Sequence, residues 1–435
     1  MTDWWRGLSA TSQDALILLA ILLPALMLGV LVCRGFSLRV LLRGLLLRYL
    51  WTNAAFVVLV ALSVGLGVGL IAQERGLRQA SARIAEKFDL IIAAPGDEVS
   101  MLMATVYLQP TAAPLLDGAV YERVQNAPGV RFITPLAYGD SWGDSPIIGS
   151  TADFVAHLSG DLDDGRIFAR DGEAVIGARV PLDLGATFEP AHGHGATAEH
   201  GAHDGVQITV TGRMAPTGSP WDRAIIVPVE TVWLTHGFGD GHAEQDTHLG
   251  PPFAPEFFPG TPAILVVTRD LGAAYGLRAQ FSTDQTMAFF PGAVLTRLHG
   301  LMGDVRQIMS VMSLGTQVLV AAAVMTGLIV LARLFARRLA LLRALGAPGR
   351  MVFALVWSYA AVLLGLGTVL GLAVGLVATR AISTVLTART DLLITPRLGW
   401  PELHLTAACF SLALIVALAP AVVALMRPVT DDLRK

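Results

Sequence analysis

The amino-acid sequence predicts an α-helical integral membrane protein that carries one large α+β domain outside the bilayer. Three observations predict it. The chain of 435 residues is 54% hydrophobic and only 15% charged, with a mean hydropathy of +0.60, an apolar excess that a soluble core of this size does not need. Five runs approach or reach the roughly 20 apolar residues that cross a bilayer. Between the second and third runs, residues 73–310 hold 28 of the 34 acidic residues and only 15 lysines and arginines, so this stretch reads as a solvated domain rather than as membrane.

Taken in order, residues 1–33 are an extra N-terminal span centred on 15–32. Its flank MTDWWRGLSATSQD sets Asp3 and Asp14 against Arg6. A cleaved signal peptide starts positive, so the span is expected to stay. Residues 34–53 carry Arg34, Arg39, Arg43 and Arg48 without an acid and read as a basic amphipathic helix on the cytoplasmic face, where positive charge collects beside membrane spans. The second span is 54–72. The domain at 73–310 opens on a helix, QERGLRQASARIAEKF. DLIIAAPG is a strand, SMLMATVYL a helix or a strand, and YERVQNAPGVRFITPLAYGDSWGDSPIIGST a helix followed by strands broken by Pro and Gly. VQITVTGRM and RAIIVPVETVWL are strands flanking a turn, and PAILVVTRDLGAAYGLRAQF is a strand followed by a helix. Between the strands, residues 189–205 (EPAHGHGATAEHGAHDG) read as a flexible histidine-rich loop. A helix near 291–312 leads into the third span, 311–332. Residues 333–350 hold Arg333, Arg337, Arg338, Arg343 and Arg350, again without an acid, and form the second cytoplasmic loop. The fourth span is 351–378, a short outer loop 379–404, the last span 405–426 and a cytoplasmic tail 427–435. The chain is therefore expected in a bacterial inner membrane with its N-terminus outside and its C-terminus inside.

Several chemistries are excluded. The only lysines are Lys87 and Lys435, and neither sits in a P-loop, so any ATP and Mg²⁺ belong to a partner subunit. A net charge of −3 argues against nucleic acid. No H-E-x-x-H motif occurs, and the carboxylates are spread along loops without a paired spacing, so the chain is read as a non-enzyme. Cys33 and Cys409 lie in or beside apolar runs and imply no disulfide framework.

The stretch RRLALLRALGAPGR, Arg337 to Arg350, reads as a short helix with Leu339, Leu342 and Leu345 on one stripe and a basic remainder. Gly346 suits the left-handed position after the helix, and Pro348 stops it. The basic charge fits either contact with lipid head groups or docking of a cytoplasmic partner. The segment LALLRALGAPGRMVFALVWSYAAVLLGLGTVLGLAVG resembles the FtsX-like permease module of MacB-type ABC transporters and the lipoprotein-releasing LolC and LolE permeases. LLLRYLWTNAAFVVLVALSVGLGVGLI resembles the helix and span that open that module. DLIIAAPG, TPLAYGD and VTGRMAPTGSPWDRAIIVPVETVWL resemble its MacB-type periplasmic core. Two departures stand out: the family's early acidic residue in the span after the loop is replaced by a stretch containing Trp357, and residues 15–32 add a span.

The resemblance implies a permease subunit whose loop, through Arg337, Arg338, Leu342, Arg343, Leu345 and Gly346, docks on a separate cytoplasmic ABC ATPase. It implies a second permease copy or a paralogue, and a periplasmic adaptor or binding protein. Motion would pass to the outer domain (mechanotransmission) to move or extract a substrate. Two alternatives are a regulatory scaffold that activates a periplasmic enzyme, and an accessory permease in metal supply, since DLIIAAPGDEVSMLMATVYL resembles permeases from zinc-related settings. Gly367, Gly371 and Gly375 form a G-x-x-x-G-x-x-x-G face for close helix packing, within the chain or between two copies. His192, His194, His200 and His203, with Glu199 or Asp204 nearby and His236, His242 and His248 in a second stretch, are candidate Zn²⁺ ligands, because imidazole is the commonest ligand of that ion.

Overall fold

The computed structural model describes residues 5–85, 87–109, 112–193, 205–246, 248–301, 322, 325–327, 329–330, 338–390 and 398–426. Most of the expected span at 311–332, the tail at 427–435, Arg337, His194, His200 and His203 lie outside these. The chain divides into two compact units. One, the helical unit, comprises Met1–Gly76, Asp304–Thr384 and Thr395–Lys435; the other, the sheet unit, comprises Leu77–Gly303 and Val385–Ile394.

Among the described residues of the chain, four helices are long and apolar enough to cross a membrane: Ala10–Cys33, Leu50–Gly76, Gly349–Val385 and Trp400–Val423. The first, α1 (Ala10–Cys33), is capped by the Ser9 hydroxyl, which accepts from the Ser12 amide. The basic helix α2 (Arg39–Arg48) follows, and Asn53 closes it by donating its side-chain amide to the Leu46 carbonyl at 2.9 Å. Helix α3 (Leu50–Ala85) is continuous for 36 residues, about 54 Å at 1.5 Å per residue, against a hydrocarbon core of roughly 30 Å.

The sheet unit is built on an 11-stranded mixed sheet. Its strands are β1 (Leu90–Ala93), β2 (Val130–Trp142), β3 (Ser145–Ser150), β4 (Leu162–Gly165), β5 (Glu173–Ile176), β6 (Thr187–Phe188), β7 (Ala191–His192), β8 (Ile208–Met214), β9 (Ile225–Pro228), β10 (Ala263–Thr268) and β11 (Met287–Phe289). The spatial order is β11-β1-β10-β2-β3-β9-β5-β8-β4, with β6 against β8 and β7 against β2. The β3–β9 and β5–β8 pairs are parallel and the others antiparallel.

Both faces of the sheet are covered, which is why β1 is buried at every position. Leu90 and Ile92 point into one core and Ile91 and Ala93 into the other, as the period of two requires. The first core takes Val120, Tyr121 and Val124 from α5 (Gly118–Gln125), Val232 and Trp233 from α7 (Val229–Thr235), and Leu277 and Phe281 from α8 (Leu271–Phe281). The second takes Met101 and Leu102 from α4 (Glu98–Thr105), Phe154, Val155 and Leu158 from α6 (Ala152–Ser159), and Val294 and Leu295 from α9 (Pro291–Leu301).

Three expectations change, and one open alternative is decided. Residues 229–235 are a helix, not a strand: Pro228 ends β9, and Val229, Val232 and Trp233 join one core at positions i, i+3 and i+4, a pattern that the β-branched composition disguises. Of SMLMATVYL, left open as helix or strand, residues 100–105 fall in helix α4, started by the Asp97 carboxylate on the Ser100 amide at 2.8 Å. The helix that holds the expected fourth span continues past 378: α10 (Gly349–Thr390) meets no glycine or proline after Gly375 and takes in residues 379–390 of the expected outer loop. The last span is broken into α11 (Trp400–Val416) and α12 (Leu418–Met426); Pro420 has no N–H for the carbonyl of Val416, four residues earlier.

The apolar helices pack by backbone approach. A methyl built on Gly367 would lie 2.6 Å from Cβ of Val60, and one on Gly371 would lie 2.7 Å from Cβ of Val64 and 2.8 Å from the Ala61 carbonyl. One on Gly375 would lie 3.0 Å from the Gly65 carbonyl. The glycine face of α10 therefore meets α3 of the same chain. Gly371→Leu is expected to lower the thermal midpoint of the detergent-purified chain by several degrees or to abolish its folded yield. Gly365→Ala, whose methyl meets Phe410 only at 3.8 Å, should stay near wild type.

In the sheet unit, Arg166 donates two hydrogen bonds to Glu173, at 2.8 and 2.5 Å, and the Ala169 amide donates a third at 2.8 Å. Chiefly through the Arg166 contact, the Glu173 carboxyl is held down at about 2. A depressed carboxyl stabilises the fold fully above its unfolded value, roughly 4.3, and the contribution fades as pH falls toward the folded value. Glu173→Gln should flatten the loss of thermal midpoint between about pH 4.5 and 2.5 that the wild type shows; an unchanged acid limb would contradict this.

Candidate functional site

Three groupings carry candidate chemistry. The first is the turn at 338–347. Residues 338–344 are helical. The Gly346 amide donates to the Arg343 carbonyl and the Ala347 amide to the Leu342 carbonyl, both at 3.0 Å, with Gly346 at φ +98°. This paired bonding closes the helix in the left-handed manner that favours glycine, and Pro348 then opens α10, its carbonyl accepting from Met351. Leu339 is buried and Leu342 packs against the same core. Leu345 does not complete that stripe: it is 85% exposed, and Leu341 is exposed as well. Three residues per step drifts off a face that turns every 3.6 residues, and the left-handed closure carries Leu345 away. The Arg338 guanidinium stands over the Tyr49 ring at 5.5 Å, which ties the turn to the junction of α2 and α3.

The polar contacts of the helical unit form the second grouping. Trp357 is buried, and its indole N–H donates to the Leu414 carbonyl at 3.0 Å, near the end of α11, where helix carbonyls lack their own partners. The Tyr359 hydroxyl donates to the Asn53 side chain. Arg75 pairs with Glu402 at 2.9 Å, and the Gly399 amide donates to the same carboxylate at 2.9 Å. The Glu402 side chain is fully buried. Removing one member of such a pair strands a charge and costs about 3–5 kcal/mol. Arg75→Met should therefore destabilise the chain more than the double variant Arg75→Met/Glu402→Gln, in which the stranded charge is gone; equal losses in unfolding titrations would contradict this.

The third grouping is histidine-based and lies in the sheet unit. The expected loop at 189–205 is in part a strand: β7 pairs with β2, Asp140 opposite His192. The pairing of β2 with β3 shifts register between Tyr138 and Asp140, a bulge that re-aims the following side chain. The Gly193 amide donates to the Gly139 carbonyl at 2.8 Å, and the Ser141 hydroxyl to the Gly193 carbonyl at 2.7 Å. These bonds hold His192 beside Asp140, its Nδ1 3.2 Å from Oδ1. His236, just past the end of α7, brings Nε2 to 3.4 Å from the same oxygen. The His236 affinity for a proton is raised, first by Asp140 and against the effect of burial. A cavity of about 460 Å³ is lined by His192 and His236 with Tyr138, Trp233, Leu115 and Phe238, and burial pushes the Tyr138 hydroxyl up to about 12.

Of the expected metal ligands, His192 and His236 fall in this cluster; His194, His200 and His203 lie outside the described residues. Asp140 was missed. It stands alone in LAYGDSW, and its partners are distant in the chain, so no spacing marks it. A second cluster joins His242, Asp246 and His248. There, His248 Nδ1 contacts Asp246 at 2.5 Å, a bond that raises the imidazole's proton affinity, and His242 Nε2 faces the buried Glu230 at 3.5 Å. Burial raises the Glu230 carboxyl, which also accepts from the Gly250 amide.

No family model matches the chain, and no curated protein matches it. Among solved structures it is similar to the periplasmic region of MacB from Actinobacillus actinomycetemcomitans, at 10% identity with a TM-score of 0.30, over 49% of this chain and 95% of that one. It is also similar to the extracellular domain of the noncanonic ABC-type transporter YknZ from Gram-positive bacteria, at 12% identity with a TM-score of 0.27, over 46% of this chain and 98% of that one.

Proposed function

We propose that this chain is the membrane subunit of an ABC-type transporter complex, which takes ATP-driven motion from a separate cytoplasmic ATPase and passes it to the sheet unit to move or extract a substrate. The observation that carries this reading is the turn at 338–347. It is a rigidly closed basic helix between apolar segments, anchored by Leu339 and by Arg338 on Tyr49, with Leu341 and Leu345 presented outward. Exposed leucines among arginines suit a protein groove better than a lipid surface alone: Leu345 is a knob, and Arg343 and Arg350 are charges to orient it. The sequence of the turn and of α10 is the part of the chain that most resembles FtsX-like permeases. The sequence holds no P-loop, which supports a separate ATPase as the source of the motion. The four apolar helices support a membrane setting, with this turn inside the cell and the sheet unit outside, by the arginine distribution.

The experiment is co-purification from membranes. An ATPase should accompany the wild-type chain, and its activity should rise when the two are reconstituted. Replacing Arg343 and Leu345 together (Arg343→Ala/Leu345→Asp) should cut ATPase recovery at least tenfold while membrane insertion and thermal midpoint stay near wild type. Unchanged recovery from the variant, or no ATPase with the wild type, would overturn the proposal.

A further inference from the structure

We propose that Asp140, His192 and His236 form a binding site for one divalent transition ion of the Zn²⁺ class on the sheet unit. The inference needs only the sheet unit and stands apart from the coupling role proposed above.

The geometry of the three donors carries it. The donor atoms all lie within 4.8 Å of one another. Both histidine nitrogens face a single oxygen, Asp140 Oδ1, at 3.2 and 3.4 Å. In a tetrahedral site with metal bonds of about 2.0–2.1 Å, adjacent donors stand roughly 3.3–3.4 Å apart. Two of the three edges thus already have close to the length the ion requires, and the histidine–histidine edge is within 4.8 Å. Two imidazoles and one carboxylate suit zinc and its neighbours, and leave a fourth position for water or another donor. Mg²⁺ and Ca²⁺ take oxygen sets instead.

The tautomer of His236 gives a second, independent argument. Its Nδ1 lies 2.8 Å from the Val232 carbonyl. A carbonyl only accepts, so Nδ1 carries a proton. The lone pair of a neutral His236 therefore sits on Nε2 and points at an acidic oxygen. A neutral His236 thus offers that lone pair, beside the Asp140 carboxylate, to a cation. A ligating imidazole held through its far N–H by a backbone carbonyl is the arrangement that orients metal sites. Asp140 is held by the bulge in β2, His192 by the β2–β7 pairing and His236 by the end of α7, so three separate backbone elements fix the donors in place. Asp140 is almost wholly buried, while half of the His192 side chain is exposed, which gives an ion a path in.

The His242, Asp246 and His248 cluster is the weaker candidate: His248 and Asp246 are exposed and bonded to each other at 2.5 Å, and His242 already faces Glu230.

The test titrates the full-length chain, purified in detergent, with Zn²⁺ against a chromogenic chelator, and with Co²⁺ as a spectroscopic probe of tetrahedral nitrogen and oxygen ligation. Wild type should hold one ion with a Kd below about 10 μM near pH 7.5, unaffected by millimolar Mg²⁺. His194→Ala/His200→Ala/His203→Ala and His248→Ala should bind as wild type does. His192→Gln, at a half-exposed position that threatens no core, should weaken binding about 100-fold, and Asp140→Asn/His236→Gln should abolish the Co²⁺ bands. The proposal is overturned by a wild-type Kd weaker than 1 mM, by tight binding that survives loss of Asp140 and His236, or by tight binding that disappears with the three loop histidines or with His248.

Discussion

Two helix backbones in close contact organise the helical unit. Along Gly367, Gly371 and Gly375, α10 offers no side chain, and Val60, Val64 and Val68 of α3 pack directly onto its main chain. Gly65 reciprocates from α3, where a methyl would lie 3.2 Å from the Gly371 carbonyl. In an apolar setting no hydrophobic force draws two helices together, and dispersion between closely fitted surfaces does the work. The same setting forbids unpaired polar groups. Several described polar side chains of this unit appear in matched sets: Asn53 with Tyr359, Trp357 with the Leu414 carbonyl, Arg75 with Glu402. The break before Pro420 and the Trp357 contact belong together, since an indole donor reaches a carbonyl close to the interruption.

The long strand β2 plays a comparable part in the sheet unit. It pairs with β10 along one stretch and with β3 and β7 along another. Its bulge at Gly139 does more than bend the sheet. It turns Asp140 toward the end of α7 and makes room for β7 to add beside it. A carboxylate with two imidazoles results, at the wall of a cavity whose other residues are mostly apolar.

Much of the architecture is legible along the chain because it repeats with a short period. Twenty apolar residues in a row predict a membrane helix wherever they fall, and the strands at 90–93, 208–214 and 263–268 announce themselves by composition. The left-handed turn at Gly346 is equally local, since one glycine followed by a proline specifies it. The misreadings arise where two local rules compete. Residues 229–235 have the β-branched composition of a strand and the burial spacing of a helix, and packing of Val232 and Trp233 on the sheet decides for the helix. Leu345 fits an i, i+3, i+6 stripe on paper, but an α-helix does not keep that stripe on one face.

The histidine cluster shows the boundary most clearly. Composition marks His192 as a potential ligand, and nothing near it in the chain marks Asp140. Donors for an ion are chosen by direction and distance to within a fraction of an ångström, and strand register, a bulge and a helix end set these together. Local pattern thus determines which segments are apolar helix, which are strand and where the charge collects, because those depend on neighbours a few residues away. Which glycine face meets which helix, and which carboxylate meets which imidazole, depends on residues far apart in the chain, and only the packed structure brings them within reach of one another.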